Sequence, residues 1–289
     1  MRRTLGVNTW VWESPLTDES LDRIARKAAV MGFEAIELPV ESPGDWKPAR
    51  AADLLRELSL TPYVVGAMGV GRDLVGTTDA TTAATQRYLI HCIDVARTLG
   101  AGIVAGPFYA QTGRTWRMSS GERATAVAEL RRALTPVVDA ALDAGVTLAI
   151  EPLNRYETSL INTVDQALDA LHPLLGPGLG LALDSYHLNI EEKNPFAALR
   201  AAGEHLAHVQ VCGNDRGAVG DDHIDWPAFL DALDDAGYTG PLNLESFTAD
   251  NETIATAASI WRPLAESQDA LAERTLKYLT ELQDSREKQ

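Results

Sequence analysis

Short apolar runs alternate with helical stretches eight times along this chain, and that alternation restricts the fold more than any other feature. The runs are Leu5–Trp10, Ala35–Val40, Pro62–Ala67, Gly102–Pro107, Val146–Glu151, Leu179–Asp184, Leu206–Cys212 and Leu242–Glu245. Most are apolar without a break, as parallel strands covered on both faces require. Between them, residues 18–31 carry Leu21, Ile24, Ala25 and Ala28 at helical spacing, with Gly32 as a stop signal. Ser119 with Glu122 and Thr163 with Gln166 have the spacing of capping boxes, the first opening a long stretch to Ala144. Asp225 followed by Pro227 marks another helix start, and a last helix is expected over roughly 266–284. Eight such units in 289 residues come to about 36 residues each, the size of a βα repeat. No Ser/Gly-rich run or low-complexity block marks a linker. The expected architecture is α/β, one (β/α)8 TIM barrel domain over residues 1–289. A doubly wound open sheet is the competing arrangement. Its glycine-rich phosphate loop is missing, since Asn8-Thr9-Trp10-Val11-Trp12 follows the first run, and no nucleotide cofactor is expected.

Charge narrows the partners. Lys plus Arg is 25 against 41 Asp plus Glu, a net charge of −16. Such a surface repels phosphate backbones and anionic lipid, so neither nucleic acid nor membrane is expected as a partner. No apolar run is long enough to span a bilayer, and the opening MRRTLGVNTW lacks the apolar stretch of a signal peptide. Cys92 and Cys212 are too far apart for a metal-binding pair and suit a reducing, cytoplasmic setting.

Polar side chains stand where late apolar runs end. Glu151, Asp184 and Glu245 each close a run, and the run between the last two carries Gln210. Barrel active sites form at the C-terminal ends of strands. In a closed ring these side chains converge on the axis, where three carboxylates repel one another unless a cation lies between them. Carboxylate and amide oxygens suit a hard or borderline divalent ion such as Mg²⁺ or Mn²⁺. Taken singly, each acid is equally a solvated rim residue or a cap; three at the ends of late strands point to a metal or catalytic cluster. His187, three residues after Asp184 on an expected βα loop, is a site residue or a structural histidine. Arg216 is an anchor for a substrate oxygen or a surface arginine. His208 shares a strand face with Gln210 and is better read as interior filling than as a ligand. Glu157 lies within reach of the same site. Trp10, Trp12 and Trp116 wall a pocket or pack the rim. Glu191-Glu192-Lys193 is expected to be a solvated turn, and Cys212 a small packing residue.

Four segments in order carry a resemblance: EPLNRYET (151–158), LDSYHLNIEE (183–192), HVQV with NDRG (208–217) and NLESF (243–247), with Trp261-Arg262 near the end. They resemble the signature segments of the ketose 3-epimerase family, typified by D-tagatose and D-psicose 3-epimerases, within the xylose-isomerase-like barrels. The resemblance covers most of the chain from about residue 100 onward. It implies one divalent metal, Mn²⁺, Mg²⁺ or Co²⁺, held by Glu151, Asp184, the Gln210 position and Glu245. It implies that Glu151 and Glu245 are the acid/base pair, and that Glu157, His187 and Arg216 hold substrate oxygens. It further implies a sugar substrate and a homo-oligomer, dimer or tetramer. One position departs: the family's third ligand is a histidine, and here it is Gln210. Glutamine is neutral and offers a carbonyl oxygen, so metal binding is expected to survive. The segment 213–226, with His223, also departs.

The chemistry so implied is proton abstraction beside a ketose carbonyl, through an enediolate, with return of the proton on the opposite face. An unphosphorylated ketose is expected, since no phosphate cradle is evident. Other readings of the same residues are a hydroxypyruvate-isomerase-like aldose–ketose isomerase and the catalytic subunit of a C-glycoside deglycosidase, a lyase on 3-keto glycosides with a small partner subunit. A non-catalytic sugar-binding barrel and a multi-zinc endonuclease-like barrel are disfavoured, the first by retention of both glutamates, the second by six histidines and the acidic charge.

Overall fold

A computed structural model describes residues 1–288 of the protein. Eight parallel strands close into one barrel in sequence order, β1 pairing with β8 through Leu5↔Leu242 and Gly6↔Asn243. The strands are β1 (Leu5–Asn8), β2 (Ala35–Val40), β3 (Thr61–Gly66), β4 (Ile103–Gly106), β5 (Thr147–Ile150), β6 (Leu179–Asp184), β7 (Leu206–Val211) and β8 (Leu242–Leu244). The outer helices are α1 (Asp18–Met31), α2 (Pro48–Glu57), α3 (Asp79–Leu99), α4 (Ser120–Ala144), α5 (Val164–Leu171), α6 (Ser185–Glu191), α7 (Pro195–Ala202), α8 (Trp226–Asp235), α9 (Glu252–Ala257) and α10 (Gln268–Arg286). No helix among the described residues is long and apolar enough to cross a membrane.

Local chemistry sets the boundaries. Ser119 and Glu122 form the expected reciprocal capping box at the start of α4. At α5, Thr163 accepts the Gln166 N–H, but the Gln166 side chain accepts from Asn162 N, one residue earlier than a capping box requires. β1 stops at Asn8 because Asn8 Oδ1 accepts the Trp10 N–H at 2.9 Å and turns Thr9–Val11 into a 3-10 turn. The loop expected around His187 is instead the short helix α6, started by Asp184 Oδ1 accepting the Tyr186 N–H at 2.8 Å. The expected solvated turn at Glu191-Glu192-Lys193 is also corrected. Glu191 pairs with Arg155 at 2.9 Å, and Glu192 accepts the Val164 N–H at 2.8 Å, so both tie the β5–α5 segment down.

Successive strand residues face opposite sides. The outward set, including Val7, Ile36, Val64, Val104, Leu148, Leu181, Val209 and Leu244, packs against helix residues such as Ile24, Leu55, Leu89, Leu130 and Leu230 in one buried cluster. Each such side chain contributes roughly 1.5–3 kcal/mol on burial. The inward set is different. Ala105, Ala149 and Ala182 form a separate small cluster. Asn8, Glu37, His208, Gln210 and Asn243 are buried and polar. Barrel interiors are ordinarily filled by bulky branched residues; here alanines on β4, β5 and β6 face large polar side chains from β1, β2, β7 and β8.

Gly6 shows how tight that interior is, because a Cβ there would lie 1.8 Å from Asn243 Oδ1 and 2.9 Å from Ala35 Cβ. Gly6→Ala is therefore expected to cost about 1–3 kcal/mol through overpacking. Urea denaturation should show this as a lower midpoint at unchanged slope; an unchanged midpoint would mean that β1 and Asn243 shift freely.

Candidate active site

The C-terminal ends of β5, β6, β7 and β8 bring six of the seven predicted site residues into direct contact. Glu151, Asp184, His187, Gln210, Arg216 and Glu245 are all buried. Glu151, Glu157, His187, Arg216 and Glu245 line one cavity of about 420 Å³. Asp184 and Gln210 do not line it. Arg216 connects Asp184 to it: Nη1 donates to Asp184 Oδ2 in a very short contact and to Glu245 Oε2 at 3.0 Å. Gln210 Nε2 donates to Glu245 Oε1 at 2.8 Å.

Arg216 is held in a left-handed backbone conformation, φ 70°. Ser246 Oγ donates to its carbonyl at 2.6 Å, and its guanidinium lies 4.1 Å from the Tyr186 ring centre. A non-glycine residue kept at positive φ marks a place where the surroundings override local preference.

The two ring nitrogens of His187 face different partners. The Asn154 backbone N–H donates to Nδ1 at 3.0 Å. Burial pushes the His187 pKa down, which keeps the ring neutral. Nε2 faces Glu151 Oε1 at 3.5 Å and stands 3.2 Å from Arg216 Nη2. His187 and the Arg216 guanidinium thus converge on one region of the cavity, where the guanidinium N–H suits negative charge on a ligand oxygen. Glu157 Oε1 is oriented by Asn154 Nδ2 at 2.7 Å.

Three carboxylates meet one guanidinium here, and the imbalance is visible in the acids. Burial, then the charges of Glu245 and Asp184, push the Glu151 pKa well above the usual carboxylate range. Burial is also the largest cause of the upward shift at Glu245, opposed by Arg216. Glu151 Oε1 is buried with no hydrogen-bond partner. Atoms of Glu151, Asp184 and His187 lie within 4.8 Å of one another, a buried group able to hold a metal ion. The orphaned oxygen and the uncompensated charge both fit a divalent cation.

Trp10, Val65, Met68, Phe247 and Ile254 supply apolar lining to the same cavity, the Phe247 ring centre 5.0 Å from the Arg216 guanidinium. Trp10 is fixed by its Nε1 donating to Glu41 at 3.0 Å. Trp12 and Trp116 lie outside the cavity lining, Trp12 Nε1 donating to Asp269 and Trp116 stacking under Arg114. His223 is exposed, its Nε2 3.0 Å from Asn189 Oδ1. Burial drives the Cys212 thiol pKa well up, so it is no thiolate nucleophile. The residue that the sequence reading missed is Glu37. It is buried on β2 and accepts from Gln210 Nε2 at 2.9 Å. Its signal was a lone acid in the middle of AIELPV, a strand otherwise apolar on both faces.

Comparison with known proteins places these residues in context. Residues 25–280 match the family model described as xylose isomerase-like TIM barrel. The chain is 30% identical over 281 residues to an L-ribulose 3-epimerase of Methylomonas sp. (strain DH-1), covering 96% of this chain and 97% of the relative. It is 30% identical over 269 residues to a ketose 3-epimerase of Arthrobacter globiformis, covering 92% of each. A solved structure of an L-ribulose 3-epimerase superposes with a TM-score of 0.89 at 29% identity, covering 99% of this chain and 97% of the other.

The raised acids make a stability prediction. A folded-state pKa above the unfolded value means that the folded protein binds more protons, so stability is lost as pH rises between the two values. In EDTA at neutral pH, Glu151→Gln should therefore melt above wild type, each kcal/mol relieved reading as about 2–4 °C. The gap should close as pH falls toward the ordinary glutamate value of ~4.3. Scanning calorimetry across that range checks it; a variant melting at or below wild type throughout would refute charge burial as the cost.

Proposed function

The chain belongs to the ketose 3-epimerase family of xylose isomerase-like TIM barrels, and on that premise we propose that it is a metal-dependent isomerase inverting C3 of an unphosphorylated ketose. The observation that carries this reading is the pair Glu151 and Glu245. They stand at the ends of β5 and β8, three strands apart around the ring, face the same cavity, and both have pKa values pushed upward. A carboxyl whose pKa is moved toward neutrality can take a carbon-bound proton and can also return one. One glutamate removes the C3 proton from one face of the sugar, and the other delivers a proton to the opposite face. Two bases are needed for inversion, since one alone returns the proton to the face it came from.

Glu151, Asp184, Gln210 and Glu245 would hold one divalent ion, Mn²⁺ or Mg²⁺ with Co²⁺ as the further choice, whose Lewis acidity polarises the ketose carbonyl and its neighbouring hydroxyl. The family resemblance gives His187 to the substrate and not to this ligand set. His187 and the Arg216 guanidinium hold substrate oxygens, and the guanidinium stabilises charge developing on them in the enediolate. Glu157, oriented by Asn154, accepts from a sugar hydroxyl. The apolar wall of Trp10, Phe247 and Ile254 takes the carbon skeleton away from the reacting centre and excludes water from it. No nucleotide cofactor is required. The buried free thiols Cys92 and Cys212 support a reducing, cytoplasmic setting, and the family resemblance supports a homo-oligomer, dimer or tetramer. The relatives' names favour epimerisation over both the aldose–ketose isomerase reading and the deglycosidase reading with a small partner subunit.

Solvent exchange tests the proposal. The Mn²⁺-loaded protein is incubated in D₂O with L-ribulose, D-fructose, D-tagatose and D-psicose and followed by NMR. Deuterium is expected at carbon 3 together with a new epimer, abolished by EDTA and slowed roughly 10²–10⁴-fold by Glu245→Gln. Deuterium at carbon 1 with an aldose product would make the protein an isomerase instead, and absence of exchange with every ketose would overturn the proposal.

A further inference from the structure

The Gln210 ligand of the proposed function raises a problem of orientation. A glutamine amide has one acceptor end and one donor end, and nothing in the side chain itself decides which faces a cation. Presented oxygen first, it ligates; presented NH₂ first, it repels. We propose that Glu37 is a positioning residue, held by His208 and Asn8, that fixes the orientation of the Gln210 amide and so sets the metal affinity of the site. This rests on Gln210 being a ligand.

The orientation can be traced from a donor that cannot be reversed. The Trp10 backbone N–H donates to Asn8 Oδ1 at 2.9 Å. The Asn8 amide is thereby fixed with its Nδ2 outward, and Nδ2 donates to Glu37 Oε2 at 2.8 Å. His208 Nε2 lies 2.5 Å from Glu37 Oε1. Glu37 is fully buried, on β2, and reaches across the barrel axis to β7. A carboxylate only accepts, so the end of Gln210 that meets Glu37 must be its NH₂, at 2.9 Å. The other N–H goes to Glu245 Oε1 at 2.8 Å. Both N–H groups are then spent, and Oε1 is the polar atom left for a ligand. Reversing the amide would set its oxygen against the Glu37 carboxylate, with no donor between them. Amide orientation is assigned from such networks, and here the network has one solution because it starts at a backbone N–H.

His208 and Gln210 lie two residues apart on one face of β7, so the strand that carries the ligand also carries a partner of its positioning carboxylate. Residues that orient metal ligands typically govern about 10–100-fold of metal affinity. Glu37→Gln replaces an acceptor-only group by one that meets Gln210 with either end, and removes the constraint without removing bulk.

The test is calorimetric titration of the metal-free protein with Mn²⁺, which reads affinity independently of turnover. Four proteins are compared: wild type, Glu37→Gln, Gln210→Ala, and the double variant. Glu37→Gln is expected to raise the Kd for Mn²⁺ about 10–100-fold. In the Gln210→Ala background the same substitution should add less than about threefold, because a residue acting through Gln210 loses its effect when Gln210 is gone. A general loosening of the barrel would lower affinity equally in both backgrounds, and that result overturns the inference. If Gln210→Ala binds Mn²⁺ as wild type does, Gln210 is not a ligand and the ligand set of the proposed function fails. If Gln210→Ala weakens binding while Glu37→Gln does not, the inference alone fails. Should Glu37→Gln not fold, Glu37→Asp, which keeps the charge but withdraws it by one methylene, is measured in its place with the same coupling to Gln210 expected.

Discussion

Glu37, Glu151, Asp184 and Glu245 all point into the axis of one ring of strands, and the guanidinium of Arg216 touches two of them. Carboxylates do not gather out of water unless something holds them there. What holds them is the closed ladder. Each acid sits at a fixed register on its own strand, and no strand can slide outward without breaking hydrogen bonds to both neighbours. The outward-facing leucines, valines and isoleucines fasten that ladder to the outer helices, and their burial offsets the cost of the charged interior. The strained backbone of Arg216 and the bare oxygen of Glu151 are local signs of the same imbalance.

Two levels of the barrel axis divide the work. The deeper one, Asn8, Glu37, His208 and Asn243, is a buried polar network in which the His208–Glu37 contact ties β7 to β2, strands that are not neighbours. Above it, Glu151, Arg216 and Glu245 meet the cavity, with Asp184 behind Arg216. Gln210 belongs to both, donating downward to Glu37 and sideways to Glu245. A polar interior of this kind is stable only when its members satisfy one another, and the alanines of β4, β5 and β6 leave the space in which they do. The same space makes Gly6 necessary on β1, where the Asn243 side chain passes.

Legibility differed from residue to residue for physical reasons. Glu151, Asp184 and Glu245 stood out because each ends an apolar run, and strand ends face the site in a barrel. The cap at Ser119 was readable because its partner Glu122 is three residues away, and that at Asp225 because Pro227 follows it. Glu37 was not readable as a partner of Gln210, since a separation of 173 residues leaves no local trace. His187 lay on a helix rather than a loop because the Asp184 side chain caps it. Glu191 and Glu192 looked like a solvated turn by composition, yet Arg155 and the Val164 N–H, on another segment, recruit them.

By itself the sequence determined the period of the chain, the covering of its strands on both faces, and the acids that close the late ones. Those are properties of neighbouring residues, and hydrophobic alternation and capping act over a few positions. Tertiary structure alone decided that Arg216 turns inward to meet Asp184 and Glu245, that His187 Nδ1 accepts from Asn154 N–H, and that Glu37 meets the Gln210 amide. Each of these depends on a donor or acceptor supplied by another strand or its loop, at a distance and angle that exist only once the ring has closed.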